Sequence, residues 1–133
     1  MISMKLENKV VLITGGSRGI GKAIGKLFVE QGAIVIITSK NEKILKKTAD
    51  DIRASFYVKG DIRKDKEVKL IVEKAVKKFK KIDVLINNAG VLPTMKPLDK
   101  ITEREWLETI DVNLNGAFRL TRQVIPHMKK EGG

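Results

Sequence analysis

There is no cysteine anywhere in the 133 residues, so disulfide frameworks, thiolate nucleophiles and cysteine-held metals are excluded. Histidine is almost as scarce. The single one, His127, stands beside Pro126 near the end of a helical stretch with no second ligand type close in sequence. It reads as a surface residue, and no metal is expected. Aromatic residues make up only 5% of the chain, which leaves few platforms for stacked bases. No apolar run approaches the roughly 20 residues needed to span a bilayer, so no membrane partner is expected. The opening Met1-Ile2-Ser3-Met4-Lys5 lacks the apolar core of a signal peptide, which makes the cytoplasm the expected compartment.

What the chain has in excess is positive charge: 27 lysines and arginines against 16 acidic residues, for a net charge of +11. Such a balance invites a nucleic-acid reading. However, Lys43, Lys46, Lys47, Lys69, Lys74, Lys77 and Lys78 are spread along helical stretches and interleaved with acids. Solvated helix faces account for them, and no nucleic-acid partner is expected. The length suits one domain over residues 1–133.

Strand and helix patterns alternate. The apolar run Val10 to Ile13 reads as a buried strand and leads through Thr14-Gly15-Gly16-Ser17-Arg18-Gly19-Ile20-Gly21 into a helix over Lys22 to Gln31, stopped at Gly32. Ala33 to Thr38 is a second strand. Asn41 caps a helix over Glu42 to Ala54 with Ile44, Leu45, Ala49 and Ile52 inward. Ser55 to Lys59 is a third strand, followed by the turn Gly60-Asp61-Ile62. Asp65 is the expected cap of a third helix, whose apolar face runs from Val68 to Phe79. Ile82 to Ile86 is a fourth strand ending in Asn87-Asn88-Ala89-Gly90. Val91 to Lys100, with Pro93 and Pro97, reads as a loop. Thr102-Glu103-Arg104-Glu105 is a capping box that opens a long helical region, which Pro126 is expected to bend and Glu131-Gly132-Gly133 to stop. Trp106 and Phe118 are expected to pack on the apolar face of that region.

Strands apolar on both faces, alternating with helices, predict an α/β fold: a Rossmann-type, doubly wound parallel sheet of order 3-2-1-4, ending after the fourth strand and the long helix that follows. In such sheets ligands sit beyond the carboxyl ends of the strands, so the four turns there should line one crevice. In the first turn, Gly15 suits the tight bend, Gly19 a close backbone approach to a pyrophosphate, and Gly21 close packing of helix on sheet. The helix N-terminus behind them offers free N–H groups to phosphates.

Four motifs in this order, TGGSRGIG at Thr14 to Gly21, GDI at Gly60 to Ile62, NNAG at Asn87 to Gly90 and VNLNG at Val112 to Gly116, resemble the short-chain dehydrogenase/reductase family, most closely its 3-oxoacyl-acyl carrier protein reductase branch. The resemblance runs from Glu7 onward and implies an oxidoreductase acting on a small-molecule carbonyl or hydroxyl substrate. It implies that Gly15, Ser17, Arg18, Gly19, Ile20 and Gly21 hold the cofactor, that Asp61 bonds the adenine amino group with the Ile62 backbone beside it, and that Asn88, Ala89 and Gly90 run along the ribose and pyrophosphate. Asn113 matches the family's catalytic asparagine, which supports a proton-relay water. Plainer roles stand beside these: Asp61 as a turn residue on local N–H groups, and the two asparagines as ties between strands.

The second strand ends Thr38-Ser39-Lys40 with no carboxylate before Glu42, and Arg18 lies within reach of the same region. A cation there suits a 2′-phosphate, whereas a carboxylate would suit a 2′-hydroxyl, so NADP is favoured over NAD. The sequence also departs from the family. The family's catalytic serine and Tyr-x-x-x-Lys pair follow the long helix and are not in these residues. The only tyrosine, Tyr57, has Asp61 four residues on, and no serine follows Ser55. The chain reads as the cofactor-binding half of a reductase, with a non-catalytic nucleotide-binding remnant or interaction module as the alternative. The edge strand Val84-Leu85-Ile86 and the helix residues Phe118, Val124, Ile125 and Met128 lack the missing half, so a homo-oligomer is expected.

Overall fold

The computed structural model describes residues 5–93 and 95–132. Residues 1–4, Thr94 of the expected loop and Gly133 of the expected helix stop lie outside the described residues.

The strands form where the sequence is apolar on both faces. They are β1 (Val10–Thr14), β2 (Ile34–Ser39), β3 (Phe56–Lys59) and β4 (Val84–Ile86). All pair in parallel, in the order β3-β2-β1-β4. β1 sits in the interior of the sheet with every residue buried, pairing Val11 with Val35 on one side and with Val84 on the other. Among the described residues β4 pairs with β1 alone, and its far edge has no strand against it.

Alternation along the strands feeds two cores. Val11, Ile13, Val35 and Ile37 face Leu45, Ala49 and Ile52 of α2 (Glu42–Ile52), with Ile24 and Phe28 of α1 (Gly19–Glu30) packed on the same side. Val10, Leu12, Ile36 and Val58 face the other way, onto Val68, Ile71, Val72 and Ala75 of α3 (Asp65–Phe79) and Leu120 and Val124 of α5 (Gly116–Lys130). Between β4 and α5 come a 3₁₀ turn (Leu98–Lys100), α4 (Glu103–Ile110) and a π-helical segment (Asp111–Asn115). The Thr102/Glu105 capping box is formed as expected.

Several expectations change. α1 starts at Gly19 rather than Lys22, because the glycine turn itself supplies the first helical residues. Lys64, not Asp65, is the N-cap of α3. Asp65 lies in the first turn, where its charge complements the helix dipole without a capping bond. Pro126 lies inside α5, which continues to Lys130. Ile44 is 40% exposed, since the inward stripe of α2 falls on Leu45, Thr48, Ala49 and Ile52. Trp106 and Phe118 are exposed rather than packed, at 55% and 61%, because no described element covers their side of α4 and α5. Of the four helix residues expected to lack cover, Val124 is buried and Met128 packs against the core, whereas Phe118 and Ile125 remain exposed.

Candidate functional site

The turns after the four strands meet in one crevice of about 400 Å³. Its walls are Gly15, Ser17, Arg18 and Ile20 after β1, Thr38, Ser39, Lys40 and Asn41 after β2, Gly60, Asp61 and Ile62 after β3, and Asn88, Ala89, Gly90 and Val91 after β4. Ile44 and Val112 complete it. The sequence-predicted residues Gly15, Ser17, Arg18, Ile20, Lys40, Asp61, Ile62, Asn88, Ala89 and Gly90 are thus brought together, with Gly19 and Gly21 in the adjoining turn.

The β1–α1 turn is built around close backbone approach. A Cβ on Gly21 would run into the Gly15 carbonyl and come within 2.5 Å of Asn88 Nδ2, so only glycine lets α1 start this near the end of β4. Gly19 has a φ of +55°, and an added Cβ there would meet nothing within 4 Å. The turn is therefore open above Gly19, as a bulky anion requires. α1 starts without a side-chain cap and without an acid in its first turn, which leaves its N-terminal dipole uncompensated.

Thr14 and Asn88 hold the crevice floor. The Asn88 amide donates to the carbonyls of Thr14 and Gly15, both at 3.1 Å. The Thr14 hydroxyl accepts from the Asn88 and Ala89 N–H groups at 3.1 and 3.0 Å. Asn87 donates to the Thr121 hydroxyl at 3.1 Å, tying the β4 turn to α5. Asn88 thus takes the plainer role expected of the two asparagines, a tie between neighbouring strands, whereas Asn87 ties its strand end to a helix.

Asp61 is 8% exposed and sits at the end of β3. Its carboxylate accepts from the Arg63 backbone N–H at 3.0 Å and from Arg63 Nε and Nη2, the last at 2.7 Å. The guanidinium holds the Asp61 carboxyl below its usual range, against burial, which pulls it up. The Asp61 N–H in turn donates to Glu67 at 2.7 Å. Arg119 donates to the Ile62 carbonyl at 3.2 Å and to Asp111 at 2.7 Å, which fixes the β3 turn to the π-helical segment.

That segment also fixes the β4 turn. Asn113 Oδ1 accepts from the Val91 N–H at 2.7 Å, and its Nδ2 donates to the Val91 carbonyl at 2.8 Å. The Asn113 side chain is engaged with the backbone of Val91, itself a wall residue, while Val112 beside it lines the crevice directly. A π-helical stretch is rare and concentrates at functional sites. Here it bridges the β3 and β4 walls.

Sequence reasoning assigned no role to Thr14, Thr38, Ser39 or Arg63. Thr38 and Ser39 have buried hydroxyls with no hydrogen-bond partner among the described residues, and both residues line the crevice. Buried hydroxyls are ordinarily bonded, so a water or a polar group entering the crevice would complete these two. Arg18 and Lys40 line the same crevice, and neither makes an ion pair among the described residues. The polar wall, the open glycine turn and the cations fit a nucleotide with phosphate groups. No cluster of three or more metal-ligating side chains occurs among the described residues, and no helix among them is long and apolar enough to cross a membrane.

The profile of the short chain dehydrogenase family matches residues 9–133. The 3-oxoacyl-[acyl-carrier-protein] reductase FabG of Thermotoga maritima is 42% identical over 133 residues, covering 96% of this chain and 53% of that protein. The L-fucose dehydrogenase of Oryctolagus cuniculus is 32% identical over 129 residues, covering 97% and 45%. Among solved structures, the 3-ketoacyl-(acyl-carrier-protein) reductase of Brucella melitensis complexed with NADH superposes with a TM-score of 0.93 at 36% identity, covering 96% of this chain and 53% of that one. The chain spans about half the length of the relatives it matches.

Proposed function

The chain belongs to the short-chain dehydrogenase family, and from that premise we propose that its crevice is the NADP(H) site of an oxidoreductase acting on a carbonyl or hydroxyl substrate, 3-oxoacyl reductase-like. The observation that carries the cofactor choice is the end of β2. Lys40 stands there beside Thr38 and Ser39, Arg18 lines the same crevice, and no carboxylate precedes Glu42 there to take a ribose 2′-hydroxyl. A bound nicotinamide dinucleotide supplies the hydride. The chain's own residues bind and orient it: the Gly19 turn and α1 N-terminus at the pyrophosphate, Asp61 and Ile62 at the adenine, and Asn88 to Gly90 along the ribose. Asn113 acts through the backbone of its π-helical segment, at the proton-relay water.

NADPH is expected to bind more tightly than NADH, and Lys40→Glu to narrow or reverse the gap. An exposed contact of this kind is worth about 1 kcal/mol or less, so the gap is roughly fivefold or smaller for Lys40 alone. Calorimetric titration checks this, and equal or tighter binding of NADH overturns it. That the Brucella melitensis reductase is complexed with NADH makes the comparison a demanding one.

Reduction of a ketone needs a proton donor at the carbonyl oxygen, and the 133 residues hold no Tyr-x-x-x-Lys pair. The 133 residues alone are therefore expected to oxidise NADPH no faster than buffer with any ketone. Turnover that survives repurification would show that the chemistry lies elsewhere in the chain. We also propose that the protein is cytoplasmic and that it self-associates through α4, α5 and the β4 edge.

A further inference from the structure

We propose that Arg63 is a specificity-determining residue that tempers how strongly Asp61 selects the base at the adenosine end of the crevice. The inference rests on the cofactor reading above.

The Asp61 carboxylate has about four acceptor positions. Arg63 fills most of them: Oδ1 accepts from the Arg63 N–H at 3.0 Å and from Nε at 3.1 Å, and Oδ2 accepts from Nη2 at 2.7 Å with Nε at 3.1 Å as a shared contact. One direction on Oδ2 is left for a ligand donor. Asp61 is only 8% exposed, so water screens it weakly, and the guanidinium is its main source of compensating charge. Lys40 is the other cation that acts on it. Arg63 is itself anchored from the far side by Glu108 at 3.3 Å, which keeps its fork aimed at Asp61 when the crevice fills.

A carboxylate selects adenine because the base presents an amino donor at C6, and it rejects hypoxanthine because that base presents a carbonyl oxygen at the same place. Both effects scale with the uncompensated negative charge on Asp61. With Arg63 in place the carboxylate is largely neutralised and the discrimination is modest. Without it, a buried carboxylate with freed oxygens attracts the amino group more strongly and repels the carbonyl more strongly. Loss of a cation also weakens the attraction for the phosphates, but equally for both dinucleotides, so this effect cancels in the ratio.

The test measures dissociation constants for NADPH and for its hypoxanthine counterpart by the fluorescence of the reduced nicotinamide. Unmodified protein, Arg63→Ala, Arg63→Gln and Arg63→Lys are compared. The adenine-over-hypoxanthine ratio should rise about tenfold in the Ala and Gln variants and stay within about twofold of the unmodified value in Lys, which keeps the charge. The Gln variant, which retains a donor and a long side chain, carries the comparison if the Ala variant does not fold. A ratio unchanged in both neutral variants, with both ligands weakened alike, would make Arg63 a structural residue and overturn the inference. A ratio that falls would overturn it as well, by making Arg63 an aid to base selection. Failure of the unmodified protein to bind either dinucleotide would overturn the cofactor reading and this inference together. Binding with an unchanged ratio overturns this inference alone.

Discussion

Glu105 shows how much one carboxylate at a helix start can hold. It accepts from the Thr102 N–H at 2.8 Å and from the Thr102 hydroxyl at 3.0 Å, and it pairs with Lys96 from the preceding loop. Lys96 first, and the Thr102 donors after it, pull the carboxyl from its ordinary 4.5 down to about 2. A carboxyl depressed in the folded state favours folding when ionised. Its contribution is complete above about pH 4.5 and is lost as the pH falls through about 2. Glu105→Gln keeps the shape and one acceptor oxygen but removes the charge. We expect it to lower the melting midpoint by a few degrees at most at pH 7, with the gap to the unmodified protein closing as the pH falls from 4.5 to 2. A gap that persists undiminished at pH 2 in melts followed by circular dichroism would show that the charge is not what Glu105 contributes.

The element that the sequence hid is the π-helical segment. Nothing in Asp111-Val112-Asn113-Leu114-Asn115 marks a shift of hydrogen-bond register, because such a shift is set by what the neighbouring turns need. The poor helix propensity of Asn113 hints at an unusual role there. Its two bonds to Val91 are the structural content of that hint. Asn113→Ala should cost about 1 kcal/mol or less, since it removes two exposed hydrogen bonds. Its more specific effect should be faster native-state hydrogen exchange at the Val91 amide, with β1 and β2 amides unaffected. Unchanged Val91 protection would sink this account of the clamp. The strands, by contrast, were legible: Val10 to Ile13 and Val35 to Ile37 are apolar at every position, and only a sheet covered on both faces accommodates that. The crevice was legible for the same reason, since topology alone brings the strand-end turns together. Arg63, Thr38 and Ser39 were not, because an i,i+2 ion pair and an unpartnered hydroxyl are facts of side-chain direction. The faces of α4 and α5 misled, because periodicity marks an apolar stripe and does not say whether anything lies against it.

At the scale of the molecule, those uncovered faces set the expected behaviour in solution. Leu114, Phe118 and Ile125 on the π segment and α5, and Trp106 and Leu107 on α4, are 41–62% exposed, and among the described residues no strand pairs with the far edge of β4. An exposed apolar surface and an unpaired edge each favour association, and the net charge of +11 opposes runaway growth. We expect a dimer or larger assembly, shifted toward monomer by Phe118→Lys. Light scattering over a concentration series decides the matter: a strictly monomeric mass at high concentration would overturn it.

The position of β1 inside the sheet has a further consequence, for synthesis on the ribosome. Val10 and its partner Asp83 are 73 residues apart. One flank of β1 is satisfied once β2 emerges, but the other waits for β4. At the usual 5–20 residues per second that wait lasts about 4 to 15 s. Throughout it, Val11, Leu12 and Ile13, which end with no exposed surface at all, present an unpaired apolar edge in the nascent chain. The most deeply buried strand of the finished protein is thus the one that needs longest protection while the chain is being made.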